Sequence, residues 1–351
     1  MKPLIVGDLI AKVPIIQGGM GVGVSRSSLA GAVASCGGIG IISGAQVGYD
    51  EDDFEANPLK ANLRALRKHI LKAKESSKGG IIGVNLMVAM NYYEEHVKTC
   101  IESGVDLIIS GAGLPTALPK LVKDSSVKIA PIVSTSKALS VILKMWDRKS
   151  NTTADMIVVE GPKAGGHLGY HNEELDDIDN IDYDSEFNKI LDIAKIYGDK
   201  FNKNIPVIAA GGIFTGDDVK KYIDMGAGGV QVGTKFVATH ECDASDNYKM
   251  TYVNSNENDI KIVKSPVGMP GRAIENNFIK SVNSTGKKIT KCYNCLIPCN
   301  PSTTPYCISK ALIDAVRGDI ENGLLFCGSN AYKVEGIQSV TEIIDELTSK
   351  L

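Results

Sequence analysis

Three groups of residues in this sequence have the types and spacing that chemistry needs. The first is Ala209-Ala210-Gly211-Gly212-Ile213, followed one unit later by Gly229-Val230-Gln231-Val232-Gly233-Thr234. Glycine lets backbone N–H groups come close to an anionic oxygen, and a following helix start adds partial positive charge. Tight turns alone would use the same glycines, but the paired occurrence points to phosphate binding by Gly211, Gly212, Gly233 and Thr234. The second group is Glu160-Gly161-Pro162-Lys163-Ala164-Gly165-Gly166-His167-Leu168-Gly169. Gly165 and Gly166 leave backbone donors free to meet a planar ligand, and His167, with a pKa expected near neutrality, is the candidate acid or base. Gln17-Gly18-Gly19-Met20-Gly21, Asn85 and Gly111-Ala112-Gly113-Leu114-Pro115 add flexible and polar groups, whereas His171 reads as solvated. The third group is Cys292, Cys295, Cys299 and Cys307, spaced C-x2-C-x3-C-x7-C. That spacing matches neither the common ferredoxin run nor a paired zinc ribbon, so an iron–sulfur cluster, a zinc site and metal-free thiols all stay open. Cys36, Cys100, Cys242 and Cys327 read as core thiols.

The elements that must hold these residues follow from apolar periodicity. Short continuous runs rich in Val and Ile recur at Pro14 to Gln17, Ile39 to Ser43, Ile81 to Val88, Asp106 to Gly111, Lys128 to Ser134, Asp155 to Glu160, Pro206 to Gly212 and Gly229 to Ala238. Continuous rather than alternating runs suit parallel strands buried on both faces. Helical patterns lie between them at Ser27 to Ser35, Leu63 to Lys74, Tyr92 to Ser103, Pro115 to Lys123, Lys137 to Trp146, Phe187 to Tyr197 and Asp217 to Met225, with Ser25 and Thr215 as expected N-caps. Eight such units predict an α/β fold, a (β/α)8 TIM barrel over residues 1–240, rather than an open sheet of five or six strands. Every chemical group of the first two sets then falls at the strand-to-helix end, where barrels carry their sites. An acidic stretch without apolar period, about 170–185, reads as an inserted loop. Residues 241–351 read as a C-terminal cap and helical appendage packed on the barrel and carrying the cysteine cluster, with helical patterns at Ser309 to Arg317 and Val340 to Leu351.

Composition narrows the partners. The chain has 351 residues, 43% hydrophobic and 23% charged, which is ample for a core and excludes disorder. A net charge of −3 with scattered lysines gives no footprint for nucleic acid or an anionic membrane, so the expected partner is a small-molecule substrate. No secretory leader and no apolar span of about 18 residues is evident, so the expectation is a cytoplasmic protein. A homodimer is expected from enzyme base rates alone.

In order along the chain, Pro-Ile-Ile-Gln-Gly at 14–18, Ala-Gly-Gly-His at 164–167, Ala-Ala-Gly-Gly-Ile at 209–213, Gly-Val-Gln-Val-Gly-Thr at 229–234 and Ser-Pro-Val-Gly-Met-Pro-Gly-Arg-Ala at 265–273 resemble the nitronate monooxygenase family. That family was once called 2-nitropropane dioxygenases, and it is similar to the FMN-dependent enoyl-acyl-carrier-protein reductase II. The resemblance runs to about residue 280. It implies a TIM barrel flavoprotein with FMN phosphate on Gly211, Gly212, Gly233 and Thr234, the ring system near Gly19, Met20, Asn85, Gly165 and Gly166, and His167 by the reactive face. It further implies an oxidoreductase that oxidises alkyl nitronates with oxygen to a carbonyl compound and nitrite, His167 binding or protonating the anion. On the same scaffold, NADH could reduce the flavin for an enoyl-acyl-carrier-protein reductase or a quinone reductase. A non-redox phosphate-binding barrel is a third reading, weakened because no cysteine follows strand six or seven to act as nucleophile. Two positions depart from the family pattern: Gly19 stands where proline is frequent, and Lys163 where an acidic residue is frequent. If a cluster forms at the cysteines, a staple for a small cap is favoured over an electron relay.

Overall fold

The computed structural model describes residues 1–351, the side chains of Asp179 and Thr285 excepted. A short antiparallel hairpin, β1 (Leu4–Val6) and β2 (Leu9–Ala11), precedes a closed parallel barrel. The barrel strands are β3 (Ile15–Gln17), β4 (Ile39–Ser43), β5 (Ile81–Met87), β6 (Leu107–Gly111), β7 (Lys128–Val133) and β8 (Ile157–Glu160). A two-residue strand outside the barrel, β9 (Gly166–His167), precedes the last two staves, β10 (Val207–Ala210) and β11 (Gly229–Val232). Closure comes from β11 pairing with β3, in the register Val230↔Ile15, Gln231↔Ile16 and Val232↔Gln17. This is the TIM barrel that the eight apolar runs predict.

The strands are buried on both faces, which explains why their runs are continuous. Ile16, Ile39, Ile41, Leu107, Ile109, Val158 and Ile208 fill the barrel interior, and Leu4, Val6 and Ala11 of the hairpin plug its floor. Outward-facing Ile42, Val84, Ile108, Val159 and Val207 pack against the helices. The side-chain period of two persists, but neither face is wet, so no regular alternation of apolar and polar residues marks it.

The surrounding helices are α1 (Ser27–Ser35), α2 (Pro58–Ser76), α3 (Tyr93–Glu102), α4 (Leu118–Leu121) and α5 (Ser136–Ser150), then α6 (Asn172–Leu175), α7 (Tyr183–Phe201) and α8 (Gly216–Asp224). Thr215 caps α8 as expected, in a reciprocal box with Asp218. Ser25 does not cap α1. Arg26 stands at that position, and Asp243, from beyond the barrel, accepts the backbone N–H groups of Arg26, Ser28 and Leu29 at 2.9, 3.2 and 3.2 Å. Ser25 instead accepts the Met20 N–H at 2.8 Å and folds the loop after β3.

Two sequence expectations change at the C-terminal side. The last stave ends at Val232, not Ala238, because Thr234–Val237 forms a helical turn, α9, whose Phe236 and Val237 are apolar for packing rather than for pairing. Next come α10 (Asp246–Val253), the hairpin β12 (Ile260–Lys264) and β13 (Pro270–Ile274), α11 (Asn277–Thr285), α12 (Ile308–Val316) and α13 (Val340–Thr348). The last helix is not part of an appendage. It packs between α1 and α8, and Val340, Ile343, Ile344 and Leu347 join the barrel's own core, so the chain's end supplies the eighth helix of the ring. Residues 241–339 form a lobe over the barrel mouth; one apolar cluster, around Phe278, Leu296, Tyr306 and Leu324, is its own, and a second is shared with Val22, Val24, Phe54 and Val237 of the barrel. The insert near 170–185 is ordered: Leu168, Tyr170 and Leu175 pack with Ile178 and Ile181, and His171 is the cap of α6 rather than a site residue. Among the described residues, no helix is long and apolar enough to cross a membrane.

Candidate functional site

A cavity of about 470 Å³ opens at the strand-to-helix end of the barrel, roofed by the C-terminal lobe. Gly19, Met20, Asn85, Gly165, Gly166, His167, Gly211, Gly212, Gly233 and Thr234 all line it. One cavity therefore gathers the glycine groups and the histidine that the sequence scatters over more than 200 positions.

Several of its glycines are glycine for a steric reason. A Cβ on Gly19 would lie 2.4 Å from the Asn85 Cβ, so these two residues fix each other at the ends of β3 and β5. A side chain at Gly165 would strike the backbone between Cys327 and Gly328 at 2.6 Å. Gly211 and Gly212 have φ of +92° and +79°, a region that L side chains rarely adopt, and a Cβ on Gly212 would reach Lys163 at 2.8 Å. The loops after β8, β10 and β11 are thus pressed together with bare backbone between them.

The C-terminal lobe completes this corner, which sequence reasoning missed. The Gly328 N–H donates to Thr234 Oγ1 at 2.9 Å, Asn330 Nδ2 donates to the Gly212 carbonyl at 2.7 Å, and the Ser329 N–H donates to the Lys163 carbonyl at 3.2 Å. Ser329 Oγ and, on β11, Gln231 Oε1 are buried without a hydrogen-bond partner. Buried polar atoms are rarely orphaned, and Gln231, which lines the cavity, marks a place where a polar ligand group belongs. Gly-Ser-Asn carried no motif, and only its arrival beside Thr234 and Gly212 reveals it.

His167 stands on β9, which pairs with β13 of the lobe through Gly271↔His167 and Arg272↔Gly166. Its Nε2 lies 2.6 Å from Ser265 Oγ, and the Phe326 ring meets the imidazole edge-on with centroids 5.0 Å apart. Burial alone lowers its pKa to about 4, which corrects the expectation of a value near neutrality. The imidazole is neutral at pH 7, so it serves as a base or a hydrogen-bonding group and not as a cationic anion site. Arg272, itself buried, donates to the carbonyls of Pro162, at 2.9 Å, and Ala164, clamping the loop that presents His167. Glu160, at the end of β8, also borders the cavity, and burial pushes its carboxyl up to about 8.

For the cysteines, an iron–sulfur cluster, a zinc site and metal-free thiols are all open readings of the sequence. Among the described residues, no group of three or more His, Cys, Asp or Glu is placed to hold a metal ion. The segment bearing Cys295 is instead strapped to the loop after β5: Asn91 N–H donates to the Cys295 carbonyl at 3.1 Å, and Leu296 bridges Met90. Cys295 and Leu296 line the outer cavity, Cys307 is the residue before α12, and Cys292 is exposed. Burial pushes the Cys295 thiol up to about 11, with Ser309 opposing and the other three cysteines adding to the rise. Of the four cysteines read as core thiols, Cys100, Cys242 and Cys327 are buried, and Cys36 is half-buried beside Thr341.

Comparison with known proteins agrees with this geometry. A family model described as nitronate monooxygenase matches residues 3–350. A probable nitronate monooxygenase of Staphylococcus saprophyticus is 28% identical over 309 residues, covering 81% of this chain and 82% of the relative. One from Staphylococcus aureus is 28% identical over 295 residues, covering 77% of each. Among solved structures, FabK from Thermotoga maritima superposes with a TM-score of 0.73 at 27% identity, covering 97% of this chain and 93% of that one. A nitroalkane oxidase from Streptomyces ansochromogenes superposes at 0.72 with 19% identity, covering 97% and 95%, a likeness of fold.

Proposed function

The chain belongs to the nitronate monooxygenase family of oxidoreductases, and from that premise we propose that it holds FMN in the barrel mouth and oxidises a small nitro compound or its nitronate. The observation that carries the reading is the corner formed by Gly211, Gly212, Gly233 and Thr234 on the cavity wall, with Gly211 and Gly212 at positive φ and Gly328 and Asn330 of the lobe closing it. Phosphate oxygens would be held by such a corner, and a polar N–H of the bound flavin would satisfy the orphaned Gln231 Oε1, with Asn85 on the same cavity wall. Bound FMN would supply the redox chemistry, taking electrons from the nitronate, with oxygen consumed and carbonyl compound and nitrite formed. The protein's share is binding, orientation and proton handling. Neutral His167 can take the α-proton of a nitroalkane and so generate the nitronate within the cavity. Arg272 and Phe326 hold its loop and ring in place.

A second reading is supported by the apolar part of the cavity lining, Met87, Met90, Leu296, Ile308 and Leu312, which would suit an acyl chain. On that reading NADH is the electron donor and an enoyl thioester the acceptor. An anaerobic absorbance titration separates the two. Bleaching of the flavin band by a nitronate and not by NADH supports nitronate oxidation, and rapid bleaching by NADH supports the reductase. Purified protein that neither contains nor takes up FMN would overturn both.

A further inference from the structure

The lobe above the barrel does more than roof the cavity. Strands β12 and β13 are joined by a loop, 265–269, whose first residue is Ser265 and whose last, Met269, lines the cavity. The loop is held at both ends. Tyr306 Oη donates to the Lys264 carbonyl at 3.0 Å just before it, and just after it the Leu168 N–H donates to the Pro270 carbonyl at 2.8 Å. Within it the Gly268 N–H donates to the Ser265 carbonyl at 3.1 Å, closing a turn at a glycine with φ +79°. Ser265 Oγ is therefore a fixed point, and it lies 2.6 Å from Nε2 of His167, which is 98 residues away in sequence and on the neighbouring strand of the same small sheet.

We propose that Ser265 is the positioning residue of His167: its oxygen accepts the Nε2–H of the imidazole, which holds the ring in one orientation and leaves the Nδ1 lone pair to meet the substrate. The direction follows from the chemistry asked of the histidine. A serine hydroxyl can accept or donate, and only with the Nε2–H given to Ser265 does the neutral ring keep its Nδ1 lone pair free to take a proton from the substrate. The Val267 N–H also approaches the Ser265 oxygen, at 3.4 Å. Burial is the cause of its low pKa, and Ser265, Phe326 and the backbone of β13 all contact His167. This proposal rests on the reading of His167 as the base toward a nitroalkane.

The test combines a structural and a kinetic readout on the full-length protein. With 15N-labelled histidine, two-bond correlations report the tautomer of each of the five imidazoles, and His167→Gln identifies the signal of interest. The expected result is the Nε2–H tautomer in the parent and a mixture in Ser265→Ala, with kcat toward a primary nitroalkane falling about tenfold or more while FMN content and KM hold. Ser265→Thr, which keeps the hydroxyl, should restore both the tautomer and kcat and shows that the loop still folds. An Nδ1–H tautomer in the parent, or the same tautomer and kcat in Ser265→Ala, overturns the proposal. Unchanged nitroalkane turnover in His167→Gln would instead remove the base reading, and the tautomer measurement would still decide the role of Ser265.

Discussion

At the scale of single residues, the site is defined by groups whose surroundings hold them in one charge state. Glu160 is the clearest case, since its carboxyl is held up to about 8 by burial while an unfolded chain would titrate it near 4.5. A folded pKa above the unfolded one means that the associated stability is fully present below about 4.5 and is lost as pH rises through about 8. Part of the side chain borders the cavity, where water screens it, so the loss is set well below the full shift, at roughly 1–2 kcal/mol. Glu160→Gln should therefore gain about that much over the parent between pH 5 and pH 8.5, measured by urea unfolding. The same gain at both pH values would show that the carboxyl titrates normally. His167 carries the opposite sign: its lowered pKa means stability present above the unfolded value of 6.5 and lost as pH falls toward about 4. The identity of His167 was legible from its glycine-rich surroundings. Its charge state was not, because Phe326 and Ser265, which enclose it, arrive from positions 98 or more residues away.

At the scale of elements, legibility tracks how local the cause is. The eight staves could be read from sequence because each is a run of Val and Ile buried on both sides, and α8 because Thr215 and Asp218 lie three residues apart. The start of α1 could not be read, since its cap is Asp243, more than 200 residues away. Nor could the place of α13, whose apolar spacing shows a helix but not the groove that receives it. That groove, between α1 and α8, gives a prediction. Ile343→Ala empties a fully buried position in the barrel's own core and should cost about 2–4 kcal/mol, lowering the single main unfolding transition by urea. If 340–348 were only an appendage, the variant would instead release a minor early transition and leave the main one where it was.

At the scale of the whole molecule, the barrel and the 241–339 lobe line one cavity together rather than meeting at a passive interface. The lobe's Gly328, Ser329 and Asn330 bond to Thr234, Lys163 and Gly212 of the barrel, and its strand β13 carries β9 with His167. A ligand that contacts both parts binds only when both are folded and docked, so its binding free energy adds to the stability of the assembly and not to either part alone. FMN at a hundredfold excess over its dissociation constant should thus contribute about 2.7 kcal/mol, and the lobe and barrel should melt together in its presence. Asn330→Ala is the variant that separates linkage from simple occupancy. It removes the 2.7 Å bond to the Gly212 carbonyl, a tie between lobe and barrel that does not depend on the flavin ring. Calorimetry should then show weaker FMN binding and, at low FMN, a lobe transition preceding that of the barrel, which added FMN merges again. Two transitions that stay separate at saturating FMN would mean that the cofactor is held by the barrel alone, and that the roof over the cavity is only a cover.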